Sequence, residues 1–506
     1  MRQLVRQNLP FFLAATLAGF GLRLFFLLKF PHVTADSNFY ADIARNWLLR
    51  GVYGLTTDPG QISPTYARLP GYPAFLAFVF ALFGIDNFKA VMIVQILVDL
   101  GTCVLVADLA RLMLGSARSA KAALLLAALC PFLAQYSAAA LTETLEIFFT
   151  ALALNCAVRG LSGLHTGAAA VPPPCPLLDN FRPWIRCGLA VAACILLRPD
   201  GGLLLLAIGL YLGIQLLRSR NNPGAAGHFV RAGLVVAACA LAPLALWGLR
   251  NRLTMHRLEW LAPRYATEEN EYVPVGFNRW VNTWIADYTS TEEIYWNMPG
   301  DRVDPGNLPS RAFDTPEQRE KTVQLLEDYN QRLSLSPDLD ARFAALAEER
   351  VRTHPLRYYV ALPLLKIADM WLRPRTELLP PDIRWYEFDD DRRWLVLDFG
   401  FGVLNLAYVI AALAGLFRAR PIPWSGLAVS YIVLRSLLLG TLPNPEPRYT
   451  LECYPAVIVL AAGLWRPAER DARDKKEKGK PALPSRTRQP PARANTAAKA
   501  ASREEW

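Results

Sequence analysis

The sequence predicts an all-α, polytopic membrane protein, and three observations carry that expectation. Of its 506 residues, 53% are hydrophobic and 19% charged, against roughly 45–50% apolar and about 25% charged in soluble chains. The apolar residues come in blocks, several of them longer than the ~18 residues that cross a bilayer. Between the blocks, the basic residues gather on alternate connections, the pattern that orients a multi-span protein.

Taken in order, the candidate spans are 9–29, 88–114, 120–138, 141–158, 185–199, 201–217, 230–249, 394–417, 423–441 and 449–465, about ten in all. With the N-terminus inside, the inner ends carry Arg2 and Arg6, then Arg111, Arg118 and Lys121, then Arg159, Arg182 and Arg186. Arg218, Arg220, Arg231, Arg418 and Arg420 continue the series. The N-terminal segment is basic and then apolar with no small-residue cleavage site, so it is expected to stay as an anchor. Two further apolar stretches, 71–84 and 355–374, are expected to be interfacial or re-entrant helices on the outer side. The first is about 20 Å long as a helix, and the second is interrupted by Pro363, Lys366 and Asp369.

This topology divides the chain into a membrane core (1–249) with a first outer loop (30–87), an outer cap region (250–393), C-terminal spans (394–465) and a tail (466–506). The 252–355 part of the cap has 18 acidic and 12 basic residues, a net of −6, and its patterns (PEQREKTVQLLEDYNQRL, LDARFAALAEERVRTH) predict a small helical cap. The tail holds 12 Lys/Arg against 6 Asp/Glu, so it supplies +6 of the chain's +10. Its composition is that of a disordered segment, expected to lie on an anionic cytoplasmic membrane face and not on nucleic acid. The eight cysteines show no CxxC pair and no metal spacing, and the large polar loop has no cysteine framework. Neither a phosphate-cradling glycine loop nor a dinucleotide fingerprint is present, which argues against an ATP-driven pump and puts the chemistry on the outer face.

The stretch TADSNFYADIARNWLLRGVYG (34–54) follows the first span. Phe39, Tyr40, Ile43, Ala44, Trp47 and Leu48 form an apolar stripe opposite Arg45, Asn46 and Arg50, as suits a helix lying in the headgroup layer. Asp36 stands at its N-terminus, where it either caps the helix or carries chemistry. Arg68 precedes a Pro-Gly-Tyr-Pro turn and either snorkels or binds an anion. Asp99 and Arg23 are intramembrane charges, expected to pair with each other. Glu143, Arg198 and Arg448 come from three separate spans and point to one outer rim.

Five motifs in series resemble one family: Asp36, Tyr40 and Ala44 after the first span; Arg68-x-Pro70-Gly71-Tyr72-Pro73 before a short helix ending at Phe83-Gly84; Thr142-Glu143; Arg198-Pro199-x-Gly201; and Arg448-Tyr449 with Pro455. In this order they look like the GT-C membrane glycosyltransferases, above all the bacterial branch related to protein O-mannosyltransferases and the aminoarabinose transferase of lipid A. The resemblance covers about 9–465, thinly over 252–393. It implies a GT-C fold and transfer of a sugar, with inversion, from a polyprenyl-phosphate donor to a glycan, lipid or protein acceptor outside the bacterial inner membrane. Asp36 would be the general base, while Tyr40, Arg68, Glu143, Arg198, Arg448 and Tyr449 would bind substrate. Many relatives have Asp-Glu where this chain has Asp36-Ser37, so a second carboxylate would come from Asp42, Asp58 or Glu143. Neither a cofactor nor a divalent metal is expected. The alternative reading is a secondary transporter or lipid flippase using Asp99 and Arg23.

Overall fold

The computed structural model describes residues 1–57, 60–165, 176–263, 272–386 and 391–467. Asp58 and the tail beyond 467, both named above, lie outside the described residues. Among the described residues, six helices are long and apolar enough to cross a membrane: Leu9–Lys29, Phe88–Leu114, Glu143–Gly163, Pro199–Arg218, Pro223–Met255 and Arg392–Arg418. A seventh would come from counting the pair Ala117–Ala128 and Pro131–Ser137 as one span, although it bends by 50°. That bend falls where Pro131 begins a new helix, because proline has no N–H to continue the preceding ladder.

The expected spans 423–441 and 449–465 also differ, whereas 71–84 and 355–374, not expected to be full spans, form short helical elements. Residues 447–465 do not form one long helix. They run as a 3-10 turn Pro447–Cys453, a helix Tyr454–Ala461 and a second 3-10 turn Ala462–Trp465. Nearly every side chain from Tyr449 to Gly463 is buried, so this apolar run is a core helix enclosed by protein on all sides. Ser425–Gly440 and Gly71–Phe83 are apolar helices of 16 and 13 residues. The 355–374 stretch is a π turn, Arg357–Ala361, followed by the helix Leu362–Leu372.

The expected intramembrane pair is present. Arg23 and Asp99 are both buried and meet at 2.6 Å, and Arg23 also donates to the carbonyls of Gly19 (2.9 Å) and Ala128 (2.7 Å). With its donors spent on fixed backbone groups, this arginine ties the first helix to the Phe88–Leu114 and Ala117–Ala128 helices. One small element was not expected: an antiparallel hairpin, Gly54–Thr57 with Gln61–Pro64, in which Gly54 pairs with Pro64. A Cβ at Gly54 would lie 2.4 Å from the Ser63 carbonyl oxygen, so glycine is required where the strands close.

The cap has its own core, in which Phe277, Trp280, Trp284, Tyr329 and Phe343 pack together. Its helices Pro316–Arg332 and Pro337–Thr353 follow the predicted patterns. Buried Arg350 knits the cap by donating to Thr283 (2.9 Å), Gln318 (2.6 Å) and the carbonyls of Ala312 (2.7 Å) and Arg311 (2.8 Å). Asp340 receives the backbone N–H groups of Gly276 and Phe277 at 3.1 and 2.8 Å. Partial burial works to raise the Asp314 carboxyl, but hydrogen bonds from Arg357 and the nearby Arg350 charge hold it below its usual range.

Candidate functional site

The helix Ala35–Arg50 begins with a complete capping box. The Thr34 hydroxyl accepts from the Ser37 N–H at 3.3 Å, and the Ser37 hydroxyl accepts from the Thr34 N–H at 3.0 Å. This pair satisfies two of the backbone donors that an N-terminus leaves open. Asp36 is therefore not the cap, and its carboxylate points out of the first turn. Ser37, which stands where many relatives have Glu, completes the box from the N3 position.

Chain entry fixes where that carboxylate goes. The His32 N–H donates to the Ala138 carbonyl at 3.0 Å and the Ala140 N–H donates to the His32 carbonyl at 3.1 Å. This docks the start of the helix beside Leu141 and Glu143. The Ala35–Arg50 helix packs on Gly71–Phe83, with the Tyr40 and Tyr72 rings 5.1 Å apart. The Tyr72 hydroxyl donates to Gln95 at 2.8 Å. Gly71 lies against the backbone of Leu196, where a Cβ would come within 2.6 Å of the carbonyl oxygen. That close approach brings Arg68 and the Arg198 turn to one place.

Arg68 stacks over Phe39 at 4.6 Å and reaches Asp36 at 3.3 Å. Arg448 reaches the other Asp36 oxygen at 3.7 Å, Glu143 at 3.6 Å and Glu446 at 2.5 Å. Arg198 pairs with Glu143 at 3.2 Å and Asp200 at 3.3 Å, and lies 4.5 Å above the Tyr449 ring. The Tyr449 hydroxyl donates to Glu446. Burial pushes the Tyr40 hydroxyl up to about 12, although Arg68 opposes the shift. Tyr40 thus stays a neutral phenol on the cavity wall.

Two cavities meet at Asp36, Arg68 and Arg448. The larger, of about 710 Å³, reaches toward Tyr288, Glu292, Trp296 and Glu377. The smaller, of about 540 Å³, reaches toward Glu143, Arg198 and Asp200 and is walled by Leu197, Leu438, Leu439 and Leu442. The six expected residues besides Tyr40 therefore converge, and Tyr40 lines the smaller cavity with them.

Asp42 does not join them. Its carboxylate accepts from the Thr56 N–H at 2.7 Å and the Thr56 hydroxyl at 2.9 Å, fastening the hairpin to the helix. Of the three expected second carboxylates, Glu143 alone is placed in the site among the described residues. Several site residues were not anticipated. Arg435 and Glu146 sit behind Arg198, with Arg435 holding Asp200 at 2.8 Å, Glu452 at 3.0 Å and Glu146 at 3.4 Å. Charges inside apolar runs were the available signal for both. Glu292, Glu377 and Glu446 had no such signal. Burial, reinforced by Glu446, raises the Glu292 carboxyl above its usual range even though the Tyr288 hydroxyl donates to it. Burial likewise raises Glu377, against the pull of Arg375. Among the described residues, no group of three or more His, Cys, Asp or Glu side chains is arranged to hold a metal ion.

Residues 64–247 match the model of the dolichyl-phosphate-mannose-protein mannosyltransferase family. The matched segment contains Arg68, Glu143 and Arg198. No curated protein matches the chain. Among solved structures, the chain is similar to the oligosaccharyltransferase AglB of Archaeoglobus fulgidus, solved with an inhibitory peptide and a dolichol-phosphate. The identity is 13% and the TM-score 0.45, over 95% of this chain and 52% of that one. It is also similar to ArnT of Cupriavidus metallidurans bound to undecaprenyl phosphate, at 15% identity and a TM-score of 0.38, over 95% of this chain and 82% of that one. The chain thus spans about half the length of the archaeal oligosaccharyltransferase.

Proposed function

We propose, from the premise that the match over 64–247 marks a membrane glycosyltransferase of the GT-C superfamily, that this protein transfers a sugar from a polyprenyl-phosphate donor to an acceptor outside the bacterial inner membrane. One observation carries the reading: the Asp36 carboxylate, free of any capping role, stands at the junction of two cavities, between Arg68 and Arg448. The smaller cavity suits the donor. Its leucines fit an isoprenoid chain, and Arg68, Arg198 and Arg448 offer charge-assisted hydrogen bonds to a phosphate.

In the reaction, Asp36 takes the proton from an acceptor hydroxyl as that oxygen bonds to the anomeric carbon. The bond from that carbon to the phosphate oxygen breaks, and its electron pair leaves with the lipid phosphate, where the arginines stabilise the gathering charge. Attack opposite the leaving group inverts the anomeric centre. No step is routed through a divalent ion or a cofactor. Glu143, bound to both Arg198 and Arg448, positions the two cations. The carrier reading has no comparable support, since the Arg23–Asp99 pair it would use is locked by backbone carbonyls.

The test is transfer by the purified protein in lipid discs, from radiolabelled polyprenyl-phosphate hexose to a cell-envelope extract, with the anomeric configuration of the product read by NMR. Labelled product of inverted configuration is expected. A retained configuration, or no product across a panel of donors and acceptors, would overturn the proposal.

A further inference from the structure

The two cavities differ in charge. The smaller has three carboxylates, Asp36, Glu143 and Asp200, matched by three arginines. The larger has four carboxylates, Asp36, Glu292, Glu377 and Glu446, but two arginines, both at the shared junction. Its far lobe is thus acidic and has aromatic walls. Tyr288 and Trp296 meet edge to face, with centroids 5.7 Å apart, and they flank Glu292 on a segment whose Thr291–Tyr295 portion is a π turn.

Two of these carboxylates have capacity to spare. Both oxygens of Glu377 are shielded from solvent, and no other side chain of the described residues hydrogen-bonds to them. The neighbouring arginines are occupied. Arg375 donates to Asn405, Tyr454, Thr450 and the Pro447 carbonyl, and Arg373 donates to Thr289 and the Ile383 carbonyl. One oxygen of Glu292 is likewise without a partner. Shielded acceptors on a cavity wall are costly unless something donates to them.

We infer that the far lobe of the larger cavity, walled by Tyr288, Glu292, Trp296 and Glu377, is a sugar-ring subsite that takes a ring bearing hydroxyls and no negative charge. Ring hydroxyls donate to the two carboxyl groups, and the aromatic faces cover the apolar C–H face of the ring. A uronic acid or phosphosugar would set its charge against Glu292 and Glu377. Arg373 and Arg375 stand near these carboxylates but do not line the cavity and spend their donors on other groups, so they offer the ring no hydrogen bond. The inference rests on the glycosyl-transfer reading for the claim that the ring is a substrate. The ring has two sources, the donor's sugar or a sugar of the acceptor, and their shared chemistry is what the lobe recognises.

Binding is tested on the full chain in lipid discs, by saturation-transfer NMR with a neutral methyl hexoside and a methyl hexuronide, and separately with polyprenyl phosphate carrying no sugar. The hexoside is expected to bind and the uronide to bind at least about tenfold more weakly. Trp296→Ala and Glu377→Ala should each weaken the hexoside about tenfold, the scale of a lost aromatic face or of one hydrogen bond to a charged group, while polyprenyl phosphate binding is retained. Glu377→Gln should keep the hexoside and admit the uronide, a relaxation that simple unfolding cannot produce. Equal binding of uronide and hexoside by the wild type, or hexoside binding untouched by Trp296→Ala and Glu377→Ala, would overturn the inference. Hexoside binding without any polyprenyl phosphate binding would support the subsite and count against the transfer reading alone. Competition of the hexoside by donor, but not by acceptor extract, assigns the ring to the donor, and the reverse assigns it to the acceptor.

Discussion

Replacing Thr34 by alanine removes the hydroxyl that accepts the Ser37 N–H and one side of the capping box. Loss of such a cap costs ~1 kcal/mol, within a range of about 0.5–2. Asp36→Asn, by contrast, removes no hydrogen bond to the helix backbone. It forfeits a favourable charge near the positive end of the helix, worth about 0.3–1 kcal/mol, and the charge of the partly exposed pairings with Arg68 and Arg448, each worth about 0–1 kcal/mol. It leaves the polar contacts of Thr34 and Ser37 in place. The assay is local hydrogen exchange in lipid discs, followed by mass spectrometry over peptides containing 34–40. One kcal/mol corresponds to about a fivefold faster opening, since about 1.4 kcal/mol is tenfold. Thr34→Ala should show that acceleration with sugar transfer largely kept, and Asp36→Asn no larger a one with transfer lost. Fraying of the helix by Asp36→Asn beyond that caused by Thr34→Ala would refute this assignment, because Asp36 would then be the structural residue.

Three other outcomes are expected. Arg68→Ala should weaken polyprenyl phosphate binding by about 10–100-fold, the worth of a charge-assisted hydrogen bond, as read by titration in discs. Gly71→Ala forces a Cβ to within 2.6 Å of the Leu196 carbonyl oxygen, so it should cost about 1–3 kcal/mol and lower both the thermal midpoint and transfer. Glu292 has a folded pKa raised by burial, so the folded state holds its proton more tightly than the unfolded state. Its contribution to stability should therefore fall as pH rises from about 4.3, the unfolded glutamate value, through the raised folded value. Glu292→Gln should flatten that part of the thermal-midpoint profile, and an unchanged slope would rule out Glu292 as its source.

The site was legible in the sequence where chemistry and chain punctuation coincide. Arg68 stands before a Pro-Gly-Tyr-Pro turn, Arg198 before Pro199, and Arg448 after Pro447, so each marks the end of an apolar run as well as a charge. The structure brings these ends together with Asp36 and Glu143. Asp42 misled because a carboxylate less than two helical turns from Asp36 looks equally available, while its real partner, Thr56, depends on a hairpin of two four-residue strands. Such short runs give almost no periodic signal. Glu292 was one acidic residue among 18 in a charged cap, and nothing local separates a carboxylate that faces a cavity from one that faces water. The 447–465 segment shows a further limit: an apolar run reads alike whether lipid or protein surrounds it, and here protein does.

The most direct test of the central claim is single-turnover sugar transfer by Asp36→Asn, with donor binding checked separately. Asparagine keeps the shape and cannot take the acceptor's proton. If Asp36 is the base, polyprenyl-phosphate sugar binding stays intact and the rate falls about 10²–10⁴-fold, the usual contribution of a general base. Transfer at the wild-type rate with donor bound would contradict it and remove Asp36 from the chemistry.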